Sequence, residues 1–233
     1  MKNAFCCLSI LMMVASISRA EELIISVTGD QGPRSGQIRR LEPIPISIVP
    51  IGVSELPAPR KTPGNLLTDG GFEYPDHKGA AYIPHGKGPL GAWVVENGTV
   101  DIVGPYWRAS RGKQSLDLSG MQEMPGTISQ AIETNPNEYY KIRFVVSANP
   151  EPADRHNPKK MKVSWGDKEL RTITVSAKRH DFHNVGWKIY EFTVRGTDGL
   201  SQLKFQSLTN TPCGPILDDI SVSHLPNHKP IKK

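Results

Sequence analysis

From Asn65 to His224 the chain changes between apolar and polar positions in short runs. Thr127-Ile128-Ser129-Gln130-Ala131-Ile132 alternates cleanly. Tyr140, Ile142, Phe144, Val146 and Ala148 line one side of the longest run. Met161, Val163 and Trp165 form another set, followed by Ile173, Val175 and Ala177, then Tyr190, Phe192 and Val194, then Leu203 and Phe205. A period of two places successive side chains on opposite faces, so each run predicts a β-strand with one face against a core. Val100-Asp101-Ile102-Val103 stops at a turn, Gly104-Pro105, and Ser115-Leu116-Asp117-Leu118 sits between Gly112 and Gly120. No stretch sustains a helical period, and no internal repeat is visible. Many short strands punctuated by glycine and proline predict an all-β sandwich or jelly roll. A segment of about 160 residues is ample for one such core.

The pattern is different before Asn65. Lys2 precedes an apolar run from Ala4 to Ile17, and Ser18-Arg19-Ala20 supplies the small residues that a signal peptidase reads. Residues 1–20 therefore read as a signal peptide, too short to span a membrane as a mature helix. No later segment is long and apolar enough to be an integral membrane span. Residues 21–64 carry Pro43, Pro45, Pro50, Pro57, Pro59 and Pro63 and a basic pair, Arg39-Arg40. Prolines remove ladder donors and favour extended backbone, so this part reads as a proline-rich spacer. Within it, Leu23–Val27 and Ile46–Val49 could form one hairpin. The sandwich is expected over 65–224 and a basic tail over 225–233.

Charge and cysteine usage narrow the classes. The formal charge of +5 drops by two when Lys2 and Arg19 leave with the signal, and Lys229, Lys232 and Lys233 carry much of the remainder. That balance does not indicate a nucleic-acid partner. Of three cysteines, Cys6 and Cys7 also leave, so Cys213 stands alone and is expected to be buried. These features fit a secreted protein or one of the bacterial cell envelope or periplasm.

Candidate chemistry starts at the closing strand, Gly214-Pro215-Ile216-Leu217-Asp218-Asp219-Ile220-Ser221-Val222. Strict alternation puts Asp218 on the same apolar face as Ile216, Ile220 and Val222. A carboxylate facing a core needs a fixed partner: backbone N–H groups, a cation such as Arg143, or a metal ion. Opening and closing strands of a sandwich often lie side by side, which makes Glu73 a candidate to share that partner. Sugars stack on exposed rings beside polar groups. Tyr82, in the glycine- and proline-rich loop from Ala80 to Gly91, and Tyr106-Trp107-Arg108, after the Gly104-Pro105 turn, could form such a platform. Arg108, Gln114 and His85 are the polar partners. The competing reading packs these rings onto the core. Trp93, Trp165 and Trp187 read as core. His180-x-x-His183 with His156 has loose metal spacing. Asp101, Asp117, Glu123 and Glu133 fall on solvent-facing positions, and Lys159-Lys160 with Lys162 reads as a solvated strand edge. No hydrolase elbow, zinc-protease motif or phosphate loop is present, so no enzymatic activity is expected.

In order along the chain come Asn65-Leu66-Leu67-x-Asp69-Gly70-x-Phe72-Glu73, Gly91-x-Trp93, Val100-Asp101-Ile102-Val103-Gly104 and Gly112-Lys113-Gln114-Ser115-Leu116-Asp117-Leu118-Ser119-Gly120. Gly126-Thr127-Ile128-Ser129-Gln130, Tyr140-x-Ile142-x-Phe144 and Ser147-Ala148-Asn149-Pro150 follow. Gly186-Trp187, Leu203-x-Phe205-x-Ser207-Leu208 and Gly214-Pro215-Ile216-Leu217-Asp218-Asp219-Ile220 complete the series. In that order they resemble the plant cell-wall family called domain of unknown function 642 and its bacterial exported relatives, the choice-of-anchor C proteins. The resemblance implies a galactose-binding-like jelly-roll β-sandwich, association with cell-wall polysaccharide, and no established catalysis. The chain departs from the plant pattern in having one domain and one mature cysteine, and from the bacterial pattern in lacking an apolar C-terminal tail. Related carbohydrate-binding sandwiches hold a structural calcium between the opening Glu and the first closing Asp. Carried over, the ligands are Glu73 and Asp218. The expectation is an exported, non-catalytic carbohydrate-binding or cell-surface module whose partner is a polysaccharide or glycan. A protein–protein interaction or matrix module, and a polysaccharide-acting hydrolase, are the alternatives.

Overall fold

The computed structural model describes residues 63–121 and 124–226. The signal peptide, all of the proline-rich spacer before Pro63, Glu123 and the tail from 227 onward lie outside the described residues. In chain order the strands are β1 Tyr82–His85, β2 Gly88–Leu90, β3 Trp93–Asn97, β4 Val100–Val103, β5 Ser115–Asp117 and β6 Thr127–Thr134. They continue with β7 Tyr139–Ala148, β8 Lys159–Trp165, β9 Lys168–Val175, β10 Lys188–Arg195, β11 Gly199–Ser207 and β12 Pro215–Leu225. Two six-stranded sheets result, ordered β1-β4-β5-β12-β7-β10 and β2-β3-β6-β11-β8-β9. Every pairing between named strands is antiparallel. The chain is an all-β sandwich, as the alternation predicts.

The inward positions of both sheets make one core. Trp93 and Val95 of β3, Ile128 of β6, Met161 and Val163 of β8 and Phe205 of β11 meet Ile102 of β4, Leu116 of β5, Ile142 and Phe144 of β7 and Leu217 of β12. The Phe144 and Phe205 rings sit edge to face, centroids 5.0 Å apart, and join the two layers. Cys213 is buried, as expected.

The first segment does run beside the last strand. Leu66 N donates to Val222 O (2.7 Å) and Ile220 N to Gly70 O (2.8 Å). The Asn65 side chain bridges the same strand, donating to Ile220 O and accepting from Val222 N. Gly70 is required at this crossing, because a Cβ there would overlap the Ile220 carbonyl.

The last strand departs from the alternation. The β12–β7 register shifts between Asp218 and Ser221, and Asp219 takes a left-handed φ of 48°. A bulge inserts one residue and inverts the phase beyond it. Ile216 and Asp218 therefore face outward from their sheet, while Leu217, Ile220 and Val222 face the core. The outward face is itself covered: Val103, Trp107, Val185 and Ile216 form a second apolar cluster, with Tyr82, Phe182 and Trp187 packed on it. Lys159 keeps the alternation, in phase with Met161 and Val163, but not the place expected of it. It is not at a solvated edge but fully buried (0% exposed), with its ammonium on Asp154 and within reach of the Thr211 hydroxyl. Burial alone would raise the Asp154 pKa, but hydrogen bonds from Lys159, Asn157 and Thr211 outweigh it and hold this carboxyl below its ordinary value.

Candidate functional site

The loop between β4 and β5 and the loop between β9 and β10 meet over the outer face of the first sheet. Arg108 N donates to Phe182 O (2.8 Å), and Trp187 Nε1 donates to Arg108 O (3.2 Å). Neighbouring rings in the first loop point opposite ways. Trp107 is only 4% exposed, packs among Val103, Val185 and Ile216, and donates from Nε1 to Ser115 Oγ (2.9 Å). Tyr106 is 38% exposed. Its ring lies 4.9 Å from Phe182 and 6.3 Å from Tyr82, edge-on, and its hydroxyl donates to Glu151 Oε2 (2.7 Å). Tyr82, Phe182 and Trp187 are half-buried. The four rings make a partly exposed aromatic patch, with the exposed Arg108 and the half-buried Glu151 as polar neighbours.

Of the residues expected to contact a ligand, Tyr82, Tyr106 and Arg108 come together here. Trp107 is in the interior instead, held there by an apolar pocket and a hydroxyl acceptor. Gln114 is also buried: its amide donates to Phe72 O (2.6 Å) and Pro75 O (3.2 Å) and accepts from His77 N (2.9 Å). It is a brace between loops, with its polar atoms used internally. His85, at the opposite end of β1 from Tyr82, packs against His77. Phe182, Trp187 and Glu151 join the patch without having been singled out from sequence for this role. Trp187 is half-exposed rather than core. Phe182 stood as a large ring between polar residues Asp181 and His183, the one signal that could have drawn notice. His180 and His183 do not converge on a metal cluster: among the described residues, no three His, Cys, Asp or Glu side chains are placed to hold an ion.

The expected acid pair shares one loop. Asp218 is 0% exposed and accepts from Arg111 N on Oδ2 (2.9 Å) and from Asp219 N on Oδ1 (2.6 Å). Glu73 Oε1 accepts from Lys113 N (2.7 Å) and Gln114 N (3.0 Å), next to Gly112 at φ 73°. Arg143 pairs with Asp219 (2.7 Å), not with Asp218. Burial pushes the Asp218 carboxyl up to about 7 against the pull of the Arg111, Asp219 and Ser110 amides. Calcium requires oxygen ligands. In this arrangement the 110–114 backbone offers N–H donors to both carboxylates, so the residues present do not make a calcium site unless that loop turns. Asp69 has the same kind of role in the opening segment, where its carboxylate accepts from Glu73 N and Tyr74 N, with burial raising it to about 6.

Asp101 and Asp117 are not at the solvent face. They are direct cross-strand partners on β4 and β5, and both are buried. Asp117 accepts from Asn149 Nδ2 (2.7 Å), Ser119 N (2.9 Å) and Gly214 N (3.0 Å). Asp101 Oδ1 is buried with no hydrogen-bond partner. Burial pushes Asp101 up to about 7. Burial, then the neighbouring Asp101 charge, pushes Asp117 well above its ordinary value. Glu133 is exposed on β6. Two acids this deep cannot flank a glycosidic bond, which needs carboxyl groups on either side of an open cleft.

A single two-sheet antiparallel sandwich, with an aromatic patch on the loops over one sheet, defines the class of module. The family described as "Protein of unknown function (DUF642)" matches residues 65–223, and the chain belongs to that family. No curated protein matches. Among solved structures, the chain is similar to the CBM22-1 xylan-binding domain of Paenibacillus barcinonensis Xyn10C, at 17% identity and a TM-score of 0.42, covering 61% of this chain and 92% of that one. It is also similar to TmCBM61, solved in complex with β-1,4-galactotriose, at 18% identity and TM-score 0.44, covering 69% and 99%. A family 35 carbohydrate-binding module from Clostridium thermocellum matches at 10% identity and TM-score 0.38, covering 60% and 90%. All three are distant likenesses.

Proposed function

We propose that this protein is an exported, non-catalytic carbohydrate-binding module, and that Tyr82, Tyr106, Phe182 and Trp187 form the surface on which a glycan stacks. The observation that carries this reading is the ring cluster itself. Four aromatic side chains from three separate chain segments meet on one loop-covered face, and Tyr106 is the most open of them. Sugar rings present apolar C–H faces to such surfaces and hydroxyls to neighbouring polar groups. Arg108 and Glu151 lie where those hydroxyls would be met. Export to a secreted or cell-envelope location is supported by the charged, apolar and small-residue sequence of residues 1–20.

The test is affinity electrophoresis and calorimetry of the purified protein against a panel of plant, algal and bacterial polysaccharides. At least one polysaccharide should bind. Tyr106→Ala and Trp187→Ala should each weaken that binding by about 2- to 10-fold, the scale of about 0.5–1.5 kcal/mol per aromatic contact. Failure of every polysaccharide to bind, or binding indifferent to both substitutions, refutes the reading.

A further inference from the structure

A pair of histidines belongs neither to the ring patch nor to the Glu73–Asp218 acids. His77, in the loop before β1, and His85, at the end of β1, face each other with ring centroids 5.5 Å apart and planes inclined by 40°. The Nε2 atom of each ring is buried, and neither has a hydrogen-bond partner. A buried imidazole serving only as a packing group normally turns its ring nitrogens toward a carbonyl, a carboxylate or a hydroxyl. Two adjacent rings that both leave Nε2 unmet, at this centroid spacing, can share one partner that accepts lone pairs.

The backbones that carry the rings are fixed without such a partner. His77 N donates to the Gln114 side chain, whose amide is itself anchored on Phe72 O and Pro75 O, and His77 O accepts from Ala80 N. His85 is held in register opposite Val100 on β4. Backbone placement of both residues is therefore set in advance, as a metal site requires of its ligands. The protonation state also suits. Burial lowers the pKa of both rings, the neighbouring His77 lowers that of His85 further, and Asp76 opposes the shift at His77. Neutral imidazole is the form that ligates metal.

We infer that His77 and His85 form a two-imidazole binding site for a divalent transition-metal ion of the copper, nickel or zinc type, with the two Nε2 atoms as ligands. Imidazole nitrogen selects such ions over calcium and magnesium, which take oxygen ligands. Among the described residues no third His, Cys, Asp or Glu completes a cluster, so water or an added donor fills the remaining positions. A site of this kind is open and exchangeable, unlike a closed four-ligand structural zinc site.

The experiment uses the full chain, free of any affinity tag and stripped with chelator, titrated with copper(II), zinc(II) and nickel(II) by calorimetry. Copper(II) electron paramagnetic resonance reads the ligand atoms. One saturable site per chain is expected, with nitrogen hyperfine structure from two imidazoles. Loss of an outer partner alone costs about 10- to 100-fold in metal affinity, so loss of either ligand should cost at least that. His77→Phe and His85→Phe keep an aromatic ring in the stack while removing the nitrogens. Each should abolish the saturable site with an unchanged near-ultraviolet circular dichroism spectrum. His180→Ala and His183→Ala should leave it intact. Absence of saturable uptake by the unsubstituted protein overturns the inference. So does uptake that survives both Phe substitutions, or uptake lost in His180→Ala or His183→Ala.

Discussion

Replacing Asp101 by asparagine should make this protein more stable at neutral pH, although it removes a charge from a charged residue. Asp101 is buried beside Asp117, with one carboxylate oxygen unmet. Its folded pKa stands at about 7 against an ordinary value of 3.8. The folded state therefore holds this proton more tightly than the unfolded chain does. The stability contributed by the neutral acid is complete below pH 4, declines as the pH rises, and is gone above about 7. A gap of about three pKa units at about 1.36 kcal/mol each sets a ceiling of about 4 kcal/mol on the loss. Asparagine matches the neutral acid in shape and never ionises, so Asp101→Asn should escape this loss. Urea unfolding of both proteins between pH 4.5 and 8, with the m-value checked for constancy, measures it. The two should be closest at pH 4.5, diverge steadily from there to about pH 7 and keep a constant gap above it, with the variant more stable by up to that ceiling. Parallel pH profiles, or a variant less stable at pH 7.5, would refute the claim that burial of an uncompensated charge governs this site.

The Lys159–Asp154 pair should behave in the opposite sense. Lys159→Ala strands Asp154 and should cost about 3–5 kcal/mol in urea unfolding, whereas the double replacement Lys159→Met with Asp154→Leu should recover most of that loss. A double variant as unstable as the single one would show that packing, not charge, is at issue. For Glu73 and Asp218, whose oxygens are met by the amides of Arg111, Lys113, Gln114 and Asp219, adding calcium to the chelator-stripped protein should leave the thermal midpoint unchanged. A calcium-dependent rise that Asp218→Ala removes would show that this loop turns to offer carbonyl oxygens.

How much of this was readable in the chain depends on which face of a strand is considered. Ile142, Phe144, Met161, Val163 and Phe205 were placed correctly because a period of two is a local signal and the inner face of a sandwich always meets its partner sheet. Asp101 and Asp117, at strand positions, and Trp107, on a loop, were misplaced because all three lie on the outer face of the first sheet. An antiparallel sheet is commonly wet on its other face, so alternate positions read as solvent-facing. Here the loops after β4 and β9 cover that face, Val185 packing on Trp107, and the segments after β7 and before β12 bring Asn149 and Gly214 to Asp117. Whether Tyr106 or Trp107 turns outward depends on those distant residues and not on the dipeptide. The bulge at Asp218–Ser221 escaped detection similarly, since one inserted residue leaves no compositional trace but inverts every later position.

The covering of the outer face also connects the acids with the ring patch. The same loop that carries Tyr106 and Arg108 turns at Gly112 and spends the amides of Arg111, Lys113 and Gln114 on Asp218 and Glu73. Its position over the sheet is therefore set by two carboxylates, one at the opening of the domain and one on its last strand. Asp218, fully buried, has no solvent to replace a lost amide, whereas Glu73 is exposed and can turn to water. The two anchors are thus unequal: Asp218 fixes the base of the loop, and Glu73 sets its approach. The glycan recognition proposed for the rings would inherit that arrangement, because Tyr106 meets Phe182 and Tyr82 from this loop.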